Sequence, residues 1–389
     1  MRPLLLLCFS LILLGCAQQH TTQVVVKPAL PAPDKSFAQN LTIPTTDDFY
    51  RLTPSQQQHF LAFFHHPRVS HLEANARIYQ YLLDDLESFS YQGASTMAQQ
   101  TLENLSGNCM SLAVMVTALA KLVDVEVSYR ATYTDPVLEI SAQTMLSSNH
   151  VRSYLYNPIA EKNKQPLHLR SAIGIDYFRG SLDRIGQRMD NATFQAMVYN
   201  NLAVDALLAG DVAHSYWLSR AALKQQPTYK ESINLIAIIY RRQGNFTMAK
   251  QWFDLGLSYH PANTSLISNY LVLAEQLNDL QLQAELQQQL HHSQDDNPYI
   301  WFSLAVKAER AEQYEDAIRF YRKLLRSAPY LHKANLALAT LYLQQHDLAA
   351  AKTALTDALQ YSYEPAGQAR YQAKLQMLEQ LAKQPALSE

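Results

Sequence analysis

Glycine and charged residues are both scarce in this sequence. Glycine accounts for 10 of the 389 residues, and Asp, Glu, Lys and Arg together for 17%, against about 7% and 25% in average soluble chains. Folds rich in sheet and tight turns use glycine where φ is positive, so the composition favours helix. The 32 basic and 34 acidic residues give a net charge of −2, and no long basic run occurs. Binding to nucleic acid through electrostatic attraction is therefore not expected.

Motifs that hold cofactors or metals are also missing. The sequence contains no glycine-rich phosphate loop and no dinucleotide fingerprint. Its paired histidines, His65-His66 and His291-His292, are adjacent in the chain. A helix brings residues three or four positions apart, not neighbours, onto one face for a shared metal. We expect neither a cofactor nor a metal site.

The start of the chain has the pattern of a lipoprotein signal. A short basic start precedes the apolar stretch Leu4–Leu14, which is too short to span a bilayer but suits a signal peptide. The stretch ends in Leu-Leu-Gly-Cys at Cys16, which resembles the lipobox of bacterial lipoproteins; a plain secretory signal that contains a cysteine is the alternative. The resemblance implies a signal peptide over 1–15 and acylation of Cys16. Because Ala17 rather than Asp follows, it also implies the outer membrane, facing the periplasm.

A polar segment then separates this signal from the rest of the chain. Residues 18–47 are rich in Thr, Pro, Gln and Ala and show neither a helical nor a strand period. We expect 16–47 to be a lipidated cysteine followed by a flexible tether. With Cys8 removed and Cys16 lipidated, Cys109 is the one thiol left, so no internal disulfide can form. A lone thiol in an oxidising compartment is a liability unless it is buried or functional.

The second half of the chain repeats with a period of 34 residues. Pro227, Pro261 and Pro329 follow this spacing, as do Gly210 and Gly244. Small residues recur in columns, of which one is Ala203, Ala237, Leu271, Ala305 and Ala339, and another is Ala222, Gly256, Leu290, Leu324 and Ala358.

This pattern resembles the tetratricopeptide repeat (TPR), and it predicts an all-α solenoid of five repeats over 191–364. The third repeat, at 264–297, is degenerate, and we expect looser packing there. A capping helix and tail follow over 365–389. Arrays of this kind usually hold a peptide or protein, so a protein partner is expected. Five aromatic residues are either anchors for that partner or core residues: Tyr199, Trp217, Tyr240, Trp252 and Trp301.

The first half, 48–190, contains both helical and strand patterns. The chain is 48% apolar, enough for a real core, and its length predicts two or three domains. Amphipathic helices are predicted over 54–66 and 71–88, and an apolar helix begins at Cys109. Alternating segments at 125–133, 150–155 and 172–177 predict strands. We expect an α+β domain.

Cys109 follows Gly107 and Asn108 at the predicted start of a buried helix. The partial positive charge and unpaired N–H groups of a helix start favour a thiolate and can hold an oxyanion. A thiolate also needs a base, usually a histidine oriented by a carboxylate. His150 opens one predicted strand and Asp176 lies on the next, while His168 is a weaker candidate for the base.

Residues 96–178 resemble the transglutaminase-like cysteine enzymes. The resemblance rests on a Thr-x-Ala entry at Thr96, the Gly-Asn-Cys-x-Ser motif around Cys109, His-Val at His150 and Ile-Asp-Tyr at Asp176. It implies a papain/transglutaminase-like fold with Cys109 as nucleophile, His150 as general base and acid, and Asp176 as its orienting partner. The backbone at Cys109 would supply the oxyanion site. Bacterial proteins that join such a domain to TPR repeats form a recognisable group without a settled substrate.

Two functions follow as hypotheses. In the first, an outer-membrane lipoprotein acts on peptide or protein amides through Cys109, by hydrolysis or acyl transfer, while the array recruits a protein partner. In the second, the protein is a non-catalytic adaptor for cell-envelope proteins. The sequence leaves open whether the protein is an enzyme. In both hypotheses, contact with the membrane is through the lipid anchor alone.

Overall fold

The structure is a computed structural model that describes residues 29–91, 94–133, 150–157, 171–175, 184–293, 298–327, 329, 331–362 and 365–381. The predicted signal peptide, Cys16, His168 and Asp176 lie outside the described residues. Within the described residues, no helix is both long enough and apolar enough to cross a membrane.

Three helices of the first domain, those that start at Thr46, Pro54 and Cys109, are capped by short polar side chains. Thr53 and Gln56 form a reciprocal capping box at the helix that starts at Pro54, and Asn108 caps the helix that starts at Cys109. Every residue from Cys109 to Ala120 is buried, which explains why this helix is apolar on all sides. The helices are α1 Thr46–Phe49, α2 Pro54–Phe64, α3 Ala74–Ser88, α4 Ala98–Asn104 and α5 Cys109–Leu122, with a 3-10 turn at Pro67–Val69.

A small antiparallel sheet packs against α5. Its strands are β3 Val127–Tyr133, β4 His150–Tyr156, β5 Ala172–Ile175 and β6 Arg184–Met189, in the order β5-β4-β3-β6. A separate parallel pair joins β1 Ser90–Tyr91 to β2 Ser106–Gly107. Three of these strands lie where the sequence alternates, whereas β6 is not evident from the sequence. The first domain is therefore α+β in the described residues.

The second half is an array of helical hairpins, and the predicted 34-residue repeat is confirmed. Each hairpin turns through a residue with left-handed backbone, and these residues recur every 34 positions at Gly210, Gly244, Asn278, Glu312 and His346, with φ between 53° and 85°. The pairs are α6 Asn191–Leu208 with α7 Val212–Gln225, α8 Lys230–Arg242 with α9 Phe246–Tyr259, α10 Thr264–Gln276 with α11 Leu280–His292, α12 Pro298–Arg310 with α13 Tyr314–Ser327, and α14 His332–Gln344 with α15 Leu348–Gln360, followed by α16 Pro365–Leu381.

The second helix of the third hairpin is more exposed than its counterpart in the preceding repeat. Helix α11 buries only Leu286 and Leu290, whereas α9 in the preceding repeat buries five residues. Leu277 and Leu280, at the turn of the third hairpin, are 40% and 76% exposed. This exposure follows from the degenerate repeat, because the small residues that let two helices approach are replaced there by larger ones.

Helix α6 belongs to both halves of the molecule. Phe194 on α6 stacks on Tyr129 of the sheet, with ring centroids 3.6 Å apart and planes 3° from parallel. Near its other end, Asp205 Oδ2 accepts a hydrogen bond of 2.8 Å from the backbone N–H of Ser95. The first domain therefore packs along the helix that opens the array.

Candidate functional site

Cys109 is a buried thiol at the first residue of α5. Its side chain is 5% exposed, and it is not in a disulfide. The preceding Asn108 caps the helix, because its Oδ1 accepts hydrogen bonds from Ser111 N at 2.9 Å and Ser111 Oγ at 3.1 Å. A Cβ on Gly107 would lie 2.5 Å from Ser111 Cβ, so glycine is required for this close approach. The sequence motif around Cys109 thus encodes one rigid helix start.

A polar network connects this helix start to the array. Asn108 Nδ2 donates to Ser95 Oγ at 2.9 Å, and Ser111 Oγ accepts from the backbone N–H of Thr96 at 2.8 Å. Ser95 in turn donates its N–H to Asp205. Burial raises the pKa of the Asp205 carboxyl above its ordinary value, against the lowering effect of the Ser95 hydrogen bonds.

Sequence reasoning included Thr96, Asn108 and Ser111 in a motif but missed Ser95 and Asp205. A signal for Asp205 does exist in the repeats. The equivalent positions in the second, third and fifth repeats are Ile239, Leu273 and Leu341, and only the fourth repeat, with Lys307, has another charged residue there. A carboxylate is thus unusual at this position of the hairpin. Its partner lies in the other domain, which a single repeat cannot reveal.

Of the two predicted partners of Cys109, the structure describes the backbone of His150 but not Asp176. His150 is the first residue of β4, and its backbone lies opposite Thr132 near the end of β3. Asp176 lies outside the described residues; the preceding Ile175 ends β5 opposite Ser153.

The path of the chain leads from α5 into the sheet that contains β4. Helix α5 leads into β3 through a tight turn in which Val125 N–H donates to Ala120 O. Thr117 Oγ1 on α5 lies 2.8 Å from Tyr129 Oη on β3. Strand β4 begins opposite the end of β3, so the backbone of His150 lies at that edge of the β3–β4 pair. Among the described residues, no group of three or more His, Cys, Asp or Glu side chains is arranged to hold a metal.

A second candidate site lies on the array, where the chain's own N-terminal segment is bound. The sequence predicts a tether up to residue 47, but in the structure residues 30–44 lie along the first two repeats without regular secondary structure. We name the surface that they contact the repeat-1/2 seam. It lies where α7 of the first repeat meets α8 of the second, and it consists of Tyr216, Trp217, Arg220 and Tyr240.

Most polar contacts at the repeat-1/2 seam are made to the main chain of the segment. Arg220 Nη1 donates to Pro31 O at 2.7 Å, and Trp217 Nε1 donates to Ala38 O at 2.7 Å. Tyr216 Oη accepts from the backbone N–H of Asp34 at 2.8 Å. Further along, Tyr199 Oη donates to Pro44 O at 2.7 Å.

Two side chains of the segment are also recognised. Tyr240 Oη donates to Asp34 Oδ2 at 2.9 Å, and the ring of Phe37 stacks on Tyr216 with centroids 4.0 Å apart. Burying a phenylalanine contributes about 1.5–3 kcal/mol, so Phe37, at 5% exposure, is the main apolar anchor. Hydrogen bonds from Ser36 lower the pKa of Asp34, and burial with the Asp34 contact raises that of Tyr240. Asp34 is thus bound as a carboxylate and Tyr240 as a phenol.

The five aromatic residues of the array therefore divide into two groups. Tyr199, Trp217 and Tyr240 hold the bound segment. Trp252 and Trp301 are 0% and 1% exposed and belong to the core. The sequence leaves these alternatives open because helix periodicity shows which face is apolar but not what covers it.

Comparisons with known proteins find likenesses to solved repeat structures. No model of a known protein family matches the chain, and no curated protein sequence matches it. PilF of Pseudomonas aeruginosa is 14% identical over 50% of this chain and 100% of that one, with a TM-score of 0.32. YrrB, a TPR protein with an unusual peptide-binding site, is 13% identical over 46% and 92%, at 0.28. PilW, a type IV pilus biogenesis factor, is 16% identical over 48% and 98%, at 0.30.

Proposed function

We propose that this protein is an adaptor of the cell envelope whose repeat array binds an extended segment of a protein partner. The observation that supports this most directly is the repeat-1/2 seam, which holds residues 30–44 of the chain without helix or strand, with a turn at 35–36. Three of its contacts are made to main-chain N–H and C=O groups. Such contacts depend little on the side chains of the bound segment, so the array has the chemistry that peptide recognition requires.

Photo-crosslinking in the native cells tests this proposal. A photoreactive amino acid at exposed array positions, such as Gln251 or Lys352, is expected to capture the same partner in repeated experiments. The matched control is Arg51, which is 70% exposed on the first domain and should not capture it. Cys109→Ala is expected to leave the capture unchanged. Equal capture from Arg51, or none from the array, would contradict an adaptor role for the array.

A second function, thiol acyl chemistry at Cys109, is supported by the capped and buried helix start. In this proposal Cys109 Sγ attacks the carbonyl carbon of a peptide or protein amide, and the backbone N–H groups at the start of α5 stabilise the oxyanion. His150, oriented by Asp176, protonates the departing amine. Water then hydrolyses the thioester to an acid, or a second amine takes the acyl group and restores the thiol.

The alkylation rate of Cys109 against pH tests the thiol proposal. In the chain from residue 20, Cys109 is the only cysteine, so mass spectrometry follows it alone. An activated thiolate reacts below about pH 7, and His150→Ala is expected to abolish that reaction. His168→Ala serves as the matched control and also tests the other candidate base. A rate that rises only near pH 8.5, the same in all three chains, would contradict the proposal.

The proposed site of action is the periplasmic face of the outer membrane, with acylated Cys16 as the anchor. The support is the lipobox-like sequence before Cys16. Cys16→Ser is expected to move the protein from the membrane fraction to the soluble fraction, because one substitution removes every acyl chain. Cys8→Ser, which changes a cysteine within the signal, should have no such effect. A membrane fraction that is unchanged by Cys16→Ser would contradict lipid anchoring.

A further inference from the structure

The array contains a cavity at the seam between its fourth and fifth repeats, where α13 meets α14 and α15. Its volume is about 530 Å³, and its walls include Arg322, Arg326, Asn335, Tyr342, Ala354 and Asp357. The cavity has a clear origin in the sequence. The position of Ala354 is taken by Trp252, Leu286 and Phe320 in the three preceding repeats, so the fifth repeat lacks the large side chain that fills this space elsewhere.

The 34-residue period relates this cavity to the repeat-1/2 seam. Three repeats separate Arg220 from Arg322 and Tyr240 from Tyr342, so the same two residue types stand at equivalent positions in both seams. Each arginine lies over an aromatic ring, but the two rings stand at different repeat positions, because Trp252 corresponds to Ala354 and Tyr342 to Tyr240. Arg220 Cζ lies 5.7 Å from the centre of the Trp252 ring, and Arg322 Cζ lies 5.5 Å from that of Tyr342.

The bound segment at the repeat-1/2 seam shows what this pair of residues recognises. There the arginine donates to a main-chain carbonyl and the tyrosine donates to the Asp34 carboxylate. At the cavity, Arg322 and Arg326 make no ion pair within the described part of the chain, and they are exposed. The neighbouring basic residues are already engaged: Arg319 pairs with Asp316 at 3.1 Å, and Lys323 donates to three backbone carbonyls of the third repeat.

The charge around the cavity favours an anion. Two arginines face one carboxylate, Asp357, among its lining residues. Next to the cavity, burial lowers the pKa of Lys323, with smaller contributions from the charges of Arg326 and Arg319. Arginine binds carboxylates with paired hydrogen bonds, and Tyr342 offers a further donor at the equivalent of Tyr240.

We propose that the seam of repeats 4 and 5 is a binding site for an extended protein segment that carries a side-chain carboxylate. The inference rests on the proposed adaptor function and names the chemistry of the partner. The segment places its carboxylate against Arg322, Arg326 and Tyr342, and an apolar side chain enters the space beside Ala354. At the repeat-1/2 seam, already filled by residues 30–44, the equivalent tyrosine Tyr240 binds the Asp34 carboxylate, while Arg220 binds the main-chain carbonyl of Pro31.

Binding of a labelled peptide, measured by fluorescence anisotropy, tests this site in the full mature chain. The probe is a synthetic peptide with the sequence of residues 29–45, and the comparison peptide carries Asp34→Asn. We expect the carboxylate peptide to bind at least about tenfold more tightly, with a difference that shrinks as salt is added. Arg322→Gln is expected to remove the difference, and Tyr342→Phe to reduce it. The matched control Arg370→Gln changes an exposed residue of α16 and should preserve the difference.

Variants at the two seams separate this proposal from its alternatives. If binding responds to Tyr240→Phe and not to Arg322→Gln, the peptide replaces the chain's own segment and the proposal is overturned. Absence of saturable binding up to millimolar peptide also overturns it. If Tyr342→Phe has the same thermal unfolding temperature as the natural protein, a change in its peptide binding is not caused by misfolding. If this site fails while array positions still crosslink a partner, the adaptor function stands and only the assigned site and chemistry fall.

Discussion

At the scale of single residues, the start of α5 depends on one glycine. Gly107→Ala places a Cβ within 2.5 Å of Ser111 Cβ, and Ser111 cannot move without breaking its bonds to Asn108. We expect a loss of about 2–4 kcal/mol in the free energy of unfolding, measured in urea. The control is Gly210→Ala, where φ is 85° but no atom lies within 4 Å; backbone strain alone should cost about 1 kcal/mol. Equal losses would show that the contact with Ser111 is unimportant.

Asp205 gives a pH dependence whose sign is fixed by its environment. Burial raises its pKa above the ordinary 3.8, so the folded state binds a proton more readily than the unfolded state does. The stabilisation by that proton is complete below 3.8 and is lost as pH rises through the raised pKa. Asp205→Asn should remove this pH-dependent loss of stability. In urea titrations, the free energy of unfolding of the variant relative to that of the natural protein should therefore increase as pH rises.

The control for that titration lies at the other end of the same helix. Asp190 caps α6, and hydrogen bonds from Thr193 lower its pKa. Its stabilisation is therefore present above pH 3.8 and is lost as pH falls through the lowered pKa. Asp190→Asn is expected to show a pH trend opposite to that of Asp205→Asn, and equal trends would contradict the assignment of burial as the cause.

At the scale of elements, the array was predictable because its helix contacts repeat. Small residues recur where two helices approach, so the 34-residue period gives the hairpins and the turns between them. Strand β6 was not predictable in this way, since Arg184–Met189 has few apolar residues and is formed by pairing with β3. The segment 30–44 has no period at all because its conformation is set by contacts with Tyr216 and Tyr240. Non-local contacts of this kind leave no local pattern.

The turns of the hairpins offer a test at the same scale. His346 has φ of 59° at a position where the first two repeats have glycine. A left-handed conformation costs a non-glycine residue about 1 kcal/mol, so His346→Gly should stabilise the protein by about 0.5–1 kcal/mol. Gln345→Gly, one residue earlier with φ of −89°, should instead destabilise it by a similar amount. Stabilisation by both, or by neither, would contradict the role of the left-handed turn.

The thiol site was predictable only in part, because some of its contacts are local in the sequence and others are not. The motif Gly107-Asn108-Cys109 identifies a helix start because capping chemistry is local. The connection through Ser95 to Asp205 spans 110 residues and joins two domains, so neither half of the sequence indicates it. The structure therefore adds to the sequence mainly where the first domain meets the array.

At the scale of the whole molecule, that junction predicts how unfolding is coupled. All three tryptophans, Trp217, Trp252 and Trp301, lie in the array, whereas Cys109 lies in the first domain. In the natural protein, tryptophan fluorescence and the protection of Cys109 from alkylation are expected to change at the same urea concentration. Phe194→Ala removes a fully buried ring, at a cost of about 3–5 kcal/mol, and should expose Cys109 first.

A matched substitution within the array serves as the control for that experiment. Phe253 is also fully buried and stacks on Tyr270 of the next repeat, with centroids 5.1 Å apart. Phe253→Ala should shift the tryptophan transition without separating an earlier Cys109 transition. If Phe194→Ala moves both probes together, the two halves unfold as one unit and the α6 junction is not their weakest contact.

The bound segment also determines where the folded molecule would carry a mechanical load. Coming from residue 29, the chain meets Arg220 through Pro31, then Tyr216 and Tyr240 through Asp34, and only afterwards reaches α1. Tension applied upstream of residue 29 therefore acts first on the repeat-1/2 seam. It breaks the contacts of Pro31 and Asp34 with the seam one after the other. The first domain is shielded until Pro44 detaches from Tyr199. Under such a load the bound segment detaches from the array before the domain that contains Cys109 unfolds.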